Sequence, residues 1–205
     1  MLNTEKQTIV LATHNPSKIR EINDIIKDCP IYNRIHLVSL HELGIEDDIE
    51  ETGTTYEENA IIKANFACKA TGLPAIADDS GMEIRALDNK PGIYSARFLG
   101  EDTPYEVKEH HILDELKNKN DRFARYQCAV ALVRPDGVIT TSSGTLNGSI
   151  DFKISNGPYG FAYDTIFYIP EYQKTFAEIP PEIKNQMSHR AIAVRKLFKH
   201  CINLF

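Results

Sequence analysis

The 205-residue chain has no tryptophan and only three methionines, and its four cysteines lie far apart. Cys29, Cys68, Cys128 and Cys201 show no C-x-x-C or Cys/His spacing, which argues against a zinc ribbon or a dithiol motif. No run approaches the roughly 18 apolar residues of a membrane-spanning helix. The opening MLNTEK lacks the apolar stretch of an export signal. The expectation is a cytoplasmic protein without membrane association, its cysteines reduced and packed in the core. A basic excess is missing too: 23 Lys and Arg face 29 Asp and Glu, a formal charge of -6. That argues against nucleic acid as a partner, while leaving room for a local cationic pocket around a small anion. Repeats, low-complexity tracts and Ser/Gly-rich linkers are absent, so a single domain over 1–205 is expected.

What is present is a globular balance, 42% apolar and 25% charged. Gln7 to Thr13 (QTIVLAT) reads as a buried strand that runs into Asn15-Pro16, a helix cap followed by a first-turn proline. Ile19, Ile22 and Ile26 continue that helix, and Ile35 to Leu40 is a second strand. Thr55 with Glu58 fits a capping box, with Ala60, Ile61, Ala64, Ala67 and Cys68 as the buried stripe and Gly72 as the stop. Leu73 to Leu87 reads as two short strands separated by an Asp-Asp-Ser-Gly turn. Thr103-Pro104 with Glu106 opens a helix to about Asn118. Arg122 to Arg134 and Val138 to Gly144 form a hairpin around Pro135-Asp136-Gly137. Asn156 to Gly160 is a loop, Thr165 to Ile169 a strand, and Ser188 caps a last helix striped by Ala191, Val194, Leu197, Phe198 and Cys201. The pattern is α/β with a mixed central sheet flanked by helices.

Four segments carry chemistry, each with a plainer reading beside it. Thr13-His14-Asn15-Pro16-Ser17-Lys18 puts backbone N–H groups and a lysine at a helix start, which suits a phosphate; the alternative is a capped helix with a solvated lysine. Glu50-Glu51 and Asp78-Asp79 offer the hard oxygen ligands that Mg2+ prefers, or else an acidic helix flank and an ordinary turn. Lys184 with Ser188-His189-Arg190 gathers cations at a helix start, where they await an anion or a base edge unless they form a surface salt-bridge cluster. Asn156 to Asp164 (NGPYGFAYD) delivers aromatics and one acid to a strand edge, a stacking surface for a nucleobase or plain core. Lys63 is solvated unless it faces the acids, and His110-His111 is surface. Taken together, the four describe a nucleoside triphosphate site.

The chain resembles the inosine triphosphate pyrophosphatase family, the Ham1-like enzymes. The resemblance rests on IVLATHNPSKIRE (9–21), EETGTTYEENAIIKA (50–64), PAIADDSG (74–81), PGIYSARF (91–98), GFAYDTIF (160–167) and 174–190, ending in Ser-His-Arg. It implies two lobes with an intervening cleft, usually in a homodimer. It also implies Mg2+-dependent cleavage of noncanonical purine triphosphates (ITP, dITP, XTP) between the α and β phosphates, giving a monophosphate and pyrophosphate. Thr13, His14, Asn15, Pro16, Ser17 and Lys18 would then hold the triphosphate. Glu51 and Asp79 would bind Mg2+, with Asp79 also accepting the proton of the attacking water, supported by Asp78, Glu50, Lys18 and Lys63. Ser80 would touch substrate, Phe161 stack on the base within the Phe161-Ala162-Tyr163-Asp164 loop, and Lys184, His189 and Arg190 complete the pocket.

Two residues depart from the family's usual Phe-Gly-Tyr-Asp-Pro. Ala162 stands in place of glycine, which is costly if that position needs a positive φ. Thr165 stands in place of proline, losing a fixed φ and gaining a backbone donor. These departures keep open a related pyrophosphatase acting on other modified or pyrimidine triphosphates. A catalytically weak regulatory nucleotide binder is the alternative from another class.

Overall fold

The computed structural model describes residues 6–202; Met1–Glu5, on which most of the N-terminal signal reading rests, lies outside the described residues. Strands and helices alternate: β1 (Gln7–Leu11), α1 (Pro16–Lys27), β2 (Ile35–Ser39), α2 (Tyr56–Thr71), β3 (Ala75–Ile84), β4 (Lys90–Pro91) and α3 (Tyr105–Glu115). β5 (Phe123–Val133), β6 (Ile139–Ile150), β7 (Phe167–Ile169), β8 (Lys174–Thr175), α4 (Pro181–Met187) and α5 (His189–His200) follow. The eight strands join one sheet in the order β2-β1-β3-β5-β6-β7-β8, with β4 paired to β3. β1 is parallel to β2 and β3, whereas β4 on β3, β7 on β6 and β8 on β7 are antiparallel. The mixed α/β sheet expected from the sequence is the one observed.

The chain divides into two compact units: Met1–Asp79, Cys128–Gly144 and His189–Phe205 form the first, Ser80–Gln127 and Thr145–Ser188 the second. In the first unit, the alternation of strand side chains decides which helix covers which face. Ile9, Leu11, Ile76, Cys128, Val130 and Leu132 pack with the isoleucines of α1 and with Ala191, Val194, Leu197 and Phe198 of α5. The intervening Val10, Ala75, Ala77, Ala131 and Val133 pack with Ala60, Ala64, Ala67 and Cys68 of α2. The expected capping box at Thr55 and Glu58 is formed at the start of α2, and Gly72 ends the helix in the left-handed conformation. All four cysteines are buried and unpaired. Gly144 is a point of close approach, since a Cβ there would lie 2.2 Å from the His189 carbonyl oxygen at the start of α5. The second unit has its own core, built around Met82, Ile112, Tyr126, Ile150, Phe167 and Phe176.

Three expectations need correction. Asp78 to Gly81 is not a turn: β3 runs unbroken from Ala75 to Ile84, with Asp78 and Asp79 buried inside it. An Asp-Asp-Ser-Gly sequence turns when its acids need water; here distant cations supply the compensation, so the strand continues. Thr165 lies in a 3-10 turn (Ala162–Thr165), and the strand begins only at Phe167. The third is an omission: no helix is expected between Ile169 and Ser188, yet the Pro180-Pro181 pair opens α4, with Pro181 in its first turn.

Candidate active site

In the first unit the site begins where β1 hands over to α1. Asn15 Oδ1 accepts from the amides of Ser17 (2.9 Å) and Lys18 (3.3 Å), its carbonyl accepts from Ile19, and its own amide donates to Thr13 Oγ1. Pro16 has no N–H, so the first-turn donors of α1 are already engaged. This corrects the expectation of free amides at the helix start, and leaves the Lys18 ammonium as the main charge here. His14 adds a ring nitrogen 3.2 Å from the Asp47 carbonyl.

The parity of β3 sends its two acids to opposite sides. Asp78 continues the face of Ile76 and meets the cations of α1 and α5: Lys18 Nζ at 3.1 Å and Arg190 Nε at 3.0 Å. Arg190 also pairs with Glu21 of α1. Asp79 continues the face of Ala75 and Ala77 and meets α2. Asn59 Nδ2 donates to its Oδ2 (3.1 Å), and Lys63 Nζ lies 3.4 Å from its Oδ1 and 2.5 Å from Glu51 Oε1. Asn59 and Lys63 are four residues apart on one helical face. Asn59 was missed in the sequence; a polar residue four before Lys63 on an otherwise alanine-lined stripe is the signal that would have found it.

These surroundings push the adjacent carboxyls in opposite directions. Burial alone would raise Asp78, but Lys18 and Arg190 outweigh it and hold the group well below the usual carboxylate range. Burial raises Asp79 despite Lys63, and Glu51 adds to the rise. Burial acts to lower Lys63, but Asp79, Asp78 and Glu51 prevail and raise it. One carboxyl is thus fixed as an anion while its neighbour is tuned to accept a proton. Arg190 is committed to Asp78 and Glu21 and almost wholly buried, so its guanidinium holds Asp78 in place.

Among the described residues no group of three His, Cys, Asp or Glu is placed to hold a metal ion. Glu51 and Asp79 nevertheless converge on a single cation, the Lys63 ammonium. Two carboxylates sharing one positive centre fit Mg2+, which binds through one or two carboxylates and takes its remaining ligands from water and phosphate.

The second unit holds the aromatic loop. Asp164 is buried and accepts from the Tyr126 hydroxyl (3.0 Å), Lys184 Nζ (2.6 Å) and the Phe161 amide (3.2 Å). Lys184 also donates to the Tyr159 carbonyl, 2.8 Å away. Of the readings open for Lys184, His189 and Arg190, an awaited anion or base edge or a salt-bridge cluster, ion pairing is seen for two of the three: Asp164 supplies the counter-charge of Lys184, and Asp78 with Glu21 that of Arg190. Tyr163 is core, donating its hydroxyl to Ser95 O (2.8 Å) and packing edge-on against Tyr105, while Phe161 stays half-buried. Ser80, half-buried, follows Asp79 along β3. Gly157 lies so close to Ala177 that a Cβ would fall 2.3 Å from its carbonyl carbon, which fixes the loop's path.

Ala162 adopts φ 52°, the left-handed conformation that the glycine of the family pattern would take without strain. Ala162→Gly should therefore stabilise the protein by about 1 kcal/mol, raising Tm by about 2–4 °C in differential scanning calorimetry.

Buried carboxylates just past the short parallel pairing of β1 with β3, met by cations from the flanking helices, place the chain among the α/β proteins that gather ligand-binding groups beyond the carboxyl ends of parallel strands. The family model described as the Ham1 family matches residues 9–200. The dITP/XTP pyrophosphatases of Bacillus subtilis (42% identical, 93% of this chain and 94% of that one) and Geobacter sulfurreducens (43% identical, 94% and 95%) are similar throughout. Solved structures agree: the Staphylococcus aureus Ham1 protein superposes with TM-score 0.84 at 39% identity, covering 97% of this chain and 100% of that one. A HAM1 protein from Coxiella burnetii gives 0.85 at 38%, covering 96% and 99%. The chain belongs to the Ham1 family.

Proposed function

We propose that the protein hydrolyses noncanonical purine nucleoside triphosphates (ITP, dITP and XTP) to the monophosphate and pyrophosphate. The observation that carries this reading is the divided pair Asp78 and Asp79, one carboxyl paired with Lys18 and Arg190 on one face of β3 and the other meeting Asn59, Lys63 and, through Lys63, Glu51 on the opposite face. The names of the relatives, dITP/XTP pyrophosphatase, support the substrate class. Asp79 accepts the proton of the attacking water, and Asn59 orients its carboxyl. Lys63 keeps Glu51 and Asp79 together, and Lys18 offers the phosphates a charge that Asp78 holds in place. Thr13 to Ser17 shape the approach to Lys18, and His189 opens the helix that carries Arg190. Glu51 and Asp79 would hold Mg2+, which would supply positive charge to offset that on the phosphates and on the leaving pyrophosphate.

Phe161 stacks on the base, and Ser80, Ala162, Asp164 and Lys184 border it, with Tyr163 behind as a wall. Hypoxanthine and xanthine present a 6-oxo acceptor where adenine presents an amino donor. A site donor facing that position is left unpaired by ATP, which discriminates by up to about 10⁴-fold. The protein acts in the cytoplasm as a homodimer; the unpaired state of its four cysteines supports a reducing compartment. Among the described residues no helix is long and apolar enough to cross a membrane.

Turnover of dITP, ITP, XTP, GTP and ATP with Mg2+, with the products separated by ion-exchange chromatography, tests the reading. Monophosphate and pyrophosphate from the first three, with GTP and ATP much slower, is the expected result. Release of diphosphate and orthophosphate would overturn the site of cleavage, and binding of ITP without turnover would make the protein a regulatory binder.

A further inference from the structure

Glu109 belongs to no motif in the sequence, yet it is one of the few carboxyls buried in the second unit. It lies on α3, 3% exposed, and its Oε1 accepts a hydrogen bond from the Thr165 hydroxyl. Thr165 closes the 3-10 turn that begins at Ala162 and follows directly on Asp164. The turn carries a strained residue, Ala162, at positive φ, and it lacks the fixed φ that a proline at its last position would provide. The backbone donor expected from Thr165 is therefore not its distinctive contribution: the side chain makes the contact, across to α3.

We propose that Glu109 is a positioning residue for base recognition, its carboxyl latching the Thr165 hydroxyl and so holding Phe161 and Asp164 in place. The proposal rests on the reading of this turn as the base contact. Burial pushes the Glu109 carboxyl up to about 7, the Thr165 hydroxyl works against that rise, and Asp164 adds to it. The other charged or titratable groups facing it are Glu106 and His110 on its own helix, Tyr163 from the turn and Tyr126 from β5. Asp164 is itself neutralised by Lys184. Because burial and Asp164 outweigh the Thr165 hydroxyl, the closed turn favours the protonated carboxyl, so ionisation as pH rises through about 7 works against the latch.

Hydrogen–deuterium exchange across residues 159–166 of the ligand-free protein reads the latch directly, and KM for dITP reads its effect on recognition. Glu109→Leu should speed exchange there and raise KM about tenfold, the factor of a lost hydrogen bond to a charged group, with little change in kcat. Thr165→Val, which removes only the hydroxyl, should do the same and serves if Glu109→Leu fails to fold. Glu109→Gln keeps an acceptor oxygen, so exchange stays slow. It should lack the rise in KM expected of the wild type from about pH 6 to about pH 8. A second change, Thr165→Pro, should restore KM in the Glu109→Leu protein. Unchanged exchange in both Glu109→Leu and Thr165→Val would overturn the latch. Faster exchange with unchanged KM would overturn the reading of the turn as the base contact, and the positioning role with it.

Discussion

Asp79→Asn is expected to lower kcat/KM for dITP by at least about a hundredfold while leaving the far-UV circular dichroism spectrum unchanged. The carboxamide keeps the size of the side chain and an oxygen for Asn59 Nδ2, so β3 and α2 stay packed. What it loses is the proton-accepting group, and with it one of the two carboxylates that meet at Lys63. Burial raises Asp79 in the wild type, a property of a group that takes up a proton and has no counterpart in an amide. Turnover near the wild-type rate in this variant would sink the assignment of the water-activating residue. Asp78→Asn makes the contrast, because Asp78 is held as an anion between Lys18 and Arg190 and works by organising cations. Its loss should weaken substrate binding and stability together rather than remove the chemical step alone.

The second large effect is on stability. Arg190→Met should cost about 3–5 kcal/mol, because it leaves Asp78 and Glu21 without their shared guanidinium in a buried setting. In a thermal melt this appears as a fall in Tm of about 10 °C or more. Arg190→Lys should recover little of it, since a single ammonium cannot reproduce the two-sided contact of the guanidinium. Lys18→Met should cost much less, its side chain keeping 16% of its surface in water. Combining Arg190→Met with Asp78→Asn removes the stranded charge, so the double variant should be more stable than the sum of the two single losses requires. Strict additivity of the two losses would mean that the Arg190–Asp78 pair contributes nothing.

These two residues also show where sequence reading stops. The Asn15-Pro16 helix start, the Thr55–Glu58 capping box, the Gly72 stop and the Asp136-Gly137 hairpin are local signals, each complete within a few residues, and all four are present. The continuity of β3 is not local. Two adjacent acids look like a turn until Lys18, Lys63 and Arg190 are known to converge on them, from positions as much as 112 residues away. The helix α4 is hidden for another reason: two prolines and seven residues leave too little periodicity to detect. Glu109 and Asn59 sit among helical residues whose spacing reads as an ordinary face, and only their partners in space mark them out. Ala162 is the opposite case, because its cost was legible from one substitution and appears as the positive φ.

Asp78 and Asp79 are chemically identical neighbours, and only odd and even position along β3 distinguishes them. Their roles are therefore addresses rather than properties of the side chains. Removing Ala77 would turn each acid to the opposite face of the sheet, away from the cations that now meet it. The strand can lengthen or shorten only in steps of two if its faces are to keep their partners.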